Sequence, residues 1–157
     1  MRTTRHALAF ASVFAVTLAL VACTDESGVP DAPEPAPSVT STAKPALHLT
    51  GTAHDNRAFF DQTNEALVAK SAMPGGKAVI DNLVHAGFPV KAMEVTPDRT
   101  SIGLDAEAIY FSVRFGKTCL IGQVSSVFGY RSTEAAVLDS GTCLVGTTRP
   151  IDWNPKP

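Results

Sequence analysis

Three cysteines, four histidines and a scatter of carboxylates are the side chains of this 157-residue chain with chemistry to offer. Cys119 and Cys143 stand in near-identical settings, Thr118-Cys119-Leu120-Ile121-Gly122 and Thr142-Cys143-Leu144-Val145-Gly146. The repeat reads as two strands carrying equivalent sulfurs, which in an oxidising compartment join as a Cys119–Cys143 disulfide. Redox enzymes of the thioredoxin type use two cysteines separated by two residues, whereas each of these stands alone before an apolar pair. Zinc needs four ligands, and two thiols with the scattered His48, His54 and His85 do not compose a set. A hydrolase reading takes His54, Asp55 or Asp61, with Glu65 one turn on, as the base and Ser71 or Ser101 as the nucleophile. No Gly-x-Ser-x-Gly elbow, His-Glu-x-x-His pair or phosphate-binding glycine loop accompanies them. Gly75-Gly76 before Lys77 is tempting as an anion site at a helix start. A turn followed by a helix accounts for it without a ligand. His85, late in the second helix, reads as a solvent-edge side chain. The sequence nominates no catalytic residue, no metal ligand and no cofactor.

The tail Arg149-Pro150-Ile151-Asp152-Trp153-Asn154 holds the single tryptophan. Trp153 either folds back over a sheet or helix edge, or it forms with Arg149 an exposed anchor for a partner, since both residue types are common at interface hot spots.

The amino terminus reads as an address. Arg2 and Arg5 precede a nearly unbroken apolar run from Ala7 to Ala22, which together with small residues at its end describes a secretory signal peptide over residues 1–22. A run of this length reaches roughly 24 Å as a helix, short of the ~30 Å hydrocarbon core. Leu20-Val21-Ala22-Cys23 resembles the bacterial lipobox, and the resemblance implies that Cys23 takes a diacylglyceryl thioether and becomes the first residue after cleavage. At about 0.8 kcal/mol per buried methylene, two acyl chains give stable anchoring where one gives marginal binding. The expected location is the extracytoplasmic face of the cell membrane.

Residues 23–49 then read as the lipidated cysteine and a Pro-rich tether, with Pro30, Pro33, Pro35, Pro37 and Pro45 among small and acidic residues. Loss of Arg2 and Arg5 with the leader takes the formal charge from −2 to −4, mostly on the tether. The domain at 50–157 carries ten basic and eleven acidic side chains. That near balance argues against a nucleic-acid partner.

Two helices precede the strands. Thr52 with Asp55 three residues on has capping spacing, and Phe60, Thr63 and Leu67, flanked by Phe59 and Ala66, predict a buried stripe down to Lys70. A second helix over Lys77–Ala86 presents Val79, Ile80, Leu83 and Val84. Gly87 suits its left-handed cap, Phe88 can pack back on Leu83, and Pro89 ends it. The period then changes to two: Met93 and Val95 alternate with Lys91, Glu94 and Thr96 in a first strand. Ala108–Phe115 forms the best strand, with Ile109, Phe111, Val113 and Phe115 facing one way and Tyr110, Ser112 and Arg114 the other, and Gly116-Lys117 turns into Thr118–Val124. A short helix at Thr133–Leu138 and a last strand at Thr142–Gly146 complete the expectation. The fold class is α+β, a two-layer domain with two N-terminal helices packed on an antiparallel sheet of about four strands.

The stretch Met93–Thr100, with Phe111–Phe115 and Cys119–Gln123, resembles a domain found in small uncharacterised actinobacterial lipoproteins. The similarity extends to Cys143–Gly146 and the Arg149–Trp153 tail, roughly residues 51–153. It implies a Gram-positive envelope location and brings no activity with it. The expectation is a non-enzymatic envelope lipoprotein, attached to the membrane through Cys23, that binds a protein or small ligand. An envelope hydrolase around His54, Asp55 and Asp61, and an accessory subunit of an envelope complex, are the alternatives.

Overall fold

The Thr52 hydroxyl accepts a hydrogen bond from the Asp55 N–H while the Asp55 carboxylate accepts from the Thr52 N–H, and this reciprocal cap starts the first helix, α1 (Ala53–Val68). The computed structural model describes residues 44–155. The signal-peptide reading (1–22), Cys23 and the tether as far as residue 43 lie outside the described residues.

The buried side of α1 runs through Ala53, Asn56, Phe60 and Asn64, while Thr63 and Leu67 are half-buried and Ala66 is exposed. The core-facing stripe is therefore rotated from the one read in the sequence, and two asparagines lie on it. Asn56 explains its own place: its amide oxygen accepts from the His48 N–H at 2.7 Å and its nitrogen donates to the His48 carbonyl at 2.8 Å. That pair of bonds stitches the segment before Thr50 onto α1, and Leu47 packs on the core. The folded body thus begins a few residues inside the stretch assigned by sequence to the tether.

Helix α2 (Gly76–His85) buries Val79, Ile80, Leu83 and Val84. At its end Gly87 takes a φ of 99°, Phe88 N–H donates to the Leu83 carbonyl and Gly87 N–H to that of Val84. These are the two reversed bonds of a Schellman stop. They deliver Phe88 into an aromatic cluster with Phe59, Phe60 and Phe115, and Phe60 also meets Phe111 at 5.7 Å between centroids.

Four strands follow: β1 (Met93–Val95), β2 (Ala108–Phe115), β3 (Thr118–Ser125) and β4 (Gly129–Ala136). They form an antiparallel meander in the order β1-β2-β3-β4. Opposed pairs Ile109–Val124, Phe111–Gly122 and Val113–Leu120 give the sheet its apolar face. The Phe111 ring lies on Gly122, where a Cβ would come within 2.4 Å of it. Helix α1 packs over β3 and β4 and α2 over β1 and β2, so both helices cover this one face. The architecture is the expected two-layer α+β arrangement, helices first and sheet after.

Two elements differ from the sequence reading. Residues 133–138 are not helical: Thr133–Ala136 belongs to β4, paired with β3 from Ser125↔Gly129 to Thr118↔Ala136. The helix-favouring Glu134-Ala135-Ala136 gives way to a tight turn in which the Ser125 hydroxyl accepts from Val127 and Phe128 N–H and Gly129 takes a φ of 66°. Residues 142–146 are not a strand: they join none of the ladders of the four-stranded sheet. Their amides find another acceptor, described next.

Candidate functional site

The sheet face turned away from the helices is the place where this domain meets solvent with structure behind it. Alternation puts Glu94, Tyr110, Ser112, Arg114, Cys119, Ile121, Gln123, Arg131 and Thr133 on that side. A strap formed by Ser140–Gly146 crosses half of it. Cys143 is disulfide-bonded to Cys119 with Cα atoms 5.8 Å apart. The Glu94 carboxylate accepts from Cys143 N–H at 2.8 Å and from Leu144 N–H at 2.9 Å, one oxygen each. Arg114 donates to the Gly141 carbonyl at 3.0 Å. An ionised acceptor strengthens the pair of bonds at Glu94 beyond neutral ones. Beneath the strap Ser112 is fully buried, and its hydroxyl has no partner.

Beyond the strap the face is open. Tyr110, Gln123 and Arg131 stand directly opposite one another on β2, β3 and β4, a single cross-strand row. Next to it Ile121 and Thr133 are paired. Two adjoining hollows of about 190 and 270 Å³ share Tyr110 and Ile121; one extends to Arg131 and Thr133, the other to Thr96, Leu144 and Val145. Val145 is 85% exposed at the rim and Tyr110 is 40% exposed. Together the hollows make a shallow groove with an apolar floor and strap wall, a polar row, and no acidic side chain in its lining.

The residues singled out in the sequence go elsewhere. Cys119 and Cys143 do meet, but only Cys119 lies on a strand. His54 is exposed and pairs with Glu134, Asp55 is spent on the helix cap, and Asp61 accepts from the Tyr130 hydroxyl at 2.8 Å beside Arg57. The Thr52 bonds hold the Asp55 carboxyl below its ordinary range. Burial, and then Asp61, push the Tyr130 phenol far above the ordinary tyrosine range. Ser71 and Ser101 are exposed and neither is bonded to these groups. No cluster of metal-ligating side chains occurs among the described residues.

At the start of α2 the Gly76 N–H donates to Asp98, so the anion there is the chain's own carboxylate. Asp98 also binds Arg149. Arg149 lies over the Trp153 ring at 4.8 Å, and the indole N–H donates to Asp81 at 2.7 Å. The tail thereby lies against α2, with Trp153 and Ile151 packed on the core. Arg149 and Trp153 face one another and the body of the domain.

The sequence reading assigned no role to Glu94, Gln123 or Arg131. The alternation of Ala108–Phe115 placed Tyr110 on the polar side, which was the available signal for this face. Arg131 carried no signal because the expected Thr133–Leu138 helix took the place of the second half of β4.

No curated protein and no solved structure matches the chain. A family model described as a domain of unknown function, DUF6993, matches residues 64–147, which run from α1 through the whole sheet to the strap. That match covers more than half of the sequence, and the chain belongs to the DUF6993 family.

Proposed function

We propose that this chain is a membrane-anchored envelope lipoprotein, held through a lipid on Cys23, whose α+β domain is a non-enzymatic binding module. The observation that carries the binding role is the open half of the outer sheet face. Both helices lie on the other side, and a strap fixed by a disulfide and a carboxylate builds a wall beside an apolar floor. Pre-formed concave surfaces with a few placed polar groups suit recognition. The candidates for acid–base work, His54, Asp55 and Asp61, are each engaged in helix or sheet contacts, which favours the binding role over the hydrolase.

Anchoring rests on the basic-then-apolar leader and the Leu20–Cys23 motif. In cells, Cys23→Ala is expected to move the protein from the detergent phase to the aqueous phase or to leave it unprocessed. Unchanged partitioning refutes the anchor. A photo-crosslinking residue at Tyr110 is expected to give a discrete adduct that the same residue at Gln62, exposed on the outer side of α1, does not. Equal labelling from the two positions, or none from either, refutes the groove as the working surface.

A further inference from the structure

The groove's polar row specifies its ligand further than a binding role alone. Of the five arginines in the described residues, Arg57, Arg99 and Arg149 pair with carboxylates and Arg114 donates to two backbone carbonyls. Among the described residues Arg131 does neither; its guanidinium lies over the Phe128 ring at 5.6 Å. The groove lining holds no aspartate or glutamate, and the carboxylate of Glu94, on the same sheet face, is engaged by the strap. In a nearly neutral domain this leaves one local positive charge with a vacant two-pronged donor.

Gln123 and Tyr110 follow Arg131 along the same row. Neither the Gln123 amide nor the Tyr110 hydroxyl bonds another described residue. Adjacent strands lie about 4.8 Å apart, so the three polar ends are strung over roughly 10 Å. Guanidinium groups bind carboxylates through two parallel bonds. An amide and a phenol beyond it match peptide groups preceding that carboxylate. Ile121, Leu144 and Val145 offer an apolar surface beside the row. A long acyl chain would need an enclosed tunnel, and these hollows are small and open.

We infer that the groove binds the free C-terminal end of a short peptide, with the terminal carboxylate on Arg131, the preceding peptide groups on Gln123 and Tyr110, and an apolar side chain against Ile121 and Val145. This ligand class rests on the groove being the working surface, as proposed above.

The test is a nuclear magnetic resonance titration of the full chain in mild detergent with acetyl-Ala-Ala-Val as free acid, as its C-terminal amide, and with hexanoate. The free acid is expected to give saturable shifts at Tyr110, Ile121, Gln123 and Arg131. The amide, and Arg131→Gln with the acid, are expected to bind roughly tenfold or more weakly, with the spectrum of the variant otherwise unchanged. Equal binding of acid and amide, full binding by Arg131→Gln, or no shifts with the acid overturns the assignment. Hexanoate binding as tightly as the peptide acid overturns the peptide in favour of an acyl ligand. A Tyr110 crosslink in cells together with a failed peptide titration removes the ligand class and leaves the binding role standing. Loss of both removes the binding role.

Discussion

The Glu94 carboxylate holds two backbone N–H groups from a segment 49 and 50 residues further along the chain. Hydrogen bonds to a charged group contribute about 1.5–3 kcal/mol. Glu94→Ala is therefore expected to lower unfolding stability by about that amount, and Glu94→Gln by less, in urea titrations followed by circular dichroism. Ser112, below the strap, is the opposite case: its buried hydroxyl already lacks a partner, so Ser112→Ala is expected to be neutral or to stabilise by up to about 1 kcal/mol. Tyr130 offers a spectroscopic check. Its pKa is raised by burial and by Asp61, so the folded form resists ionisation while the unfolded chain does not. Stability from this group is complete below the ordinary tyrosine range and declines as pH rises through and above it. In Tyr110→Phe, which leaves Tyr130 as the single tyrosine, phenolate absorbance is expected to appear only together with unfolding. Little of this was legible in the sequence. Alternation put Glu94 on the correct face, but its partners are backbone amides, which carry no side-chain code.

Among the elements, those with strong local instructions were readable. The Thr52 cap, the Gly87 stop and the alternation of β2 each specify a geometry within a few residues, and each stands as read. Elements that depend on distant partners were not. Thr118–Gly122 and Thr142–Gly146 are almost the same sequence, yet one has strands on both sides and the other is held by the Glu94 carboxylate and by its disulfide to the first. Gly122 acquires its meaning from the opposite strand as well. Gly122→Ala would drive a methyl into the Phe111 ring, and a loss of about 1–3 kcal/mol is expected in thermal or urea unfolding. The tail is an element with a pH response. Burial pulls the Asp81 pKa upward, but the bonds from Lys77 and Trp153 and the Lys77 charge outweigh it, and the net direction is down. Docking through Asp81 is thus fully present above the ordinary aspartate range and weakens as pH falls below it. Trp153 emission is expected to shift to the red on acidification before the far-ultraviolet dichroism changes, and Asp81→Asn is expected to abolish that early step.

For the molecule as a whole, every strand of the described sheet pairs with its neighbour in sequence, and the strap adds the covalent tie between Cys119 and Cys143. Replacing both Cys119 and Cys143 with Ala is expected to cost about 2–4 kcal/mol in unfolding experiments. The same variant is expected to lose protection from hydrogen exchange at Cys143→Ala and Leu144 before the sheet does, because Glu94 and Arg114 alone then hold the segment. The strap also sets an order of events. The sheet and its polar row need only strand pairing, so they can be complete while the thiols are still reduced. The wall of the groove follows when the sulfurs join. In the reduced chain Glu94 and Arg114 alone hold that wall, so the groove is expected to be fully built only after oxidation. A covalent bond that forms only under oxidising conditions would act as a release date for binding by the proposed groove.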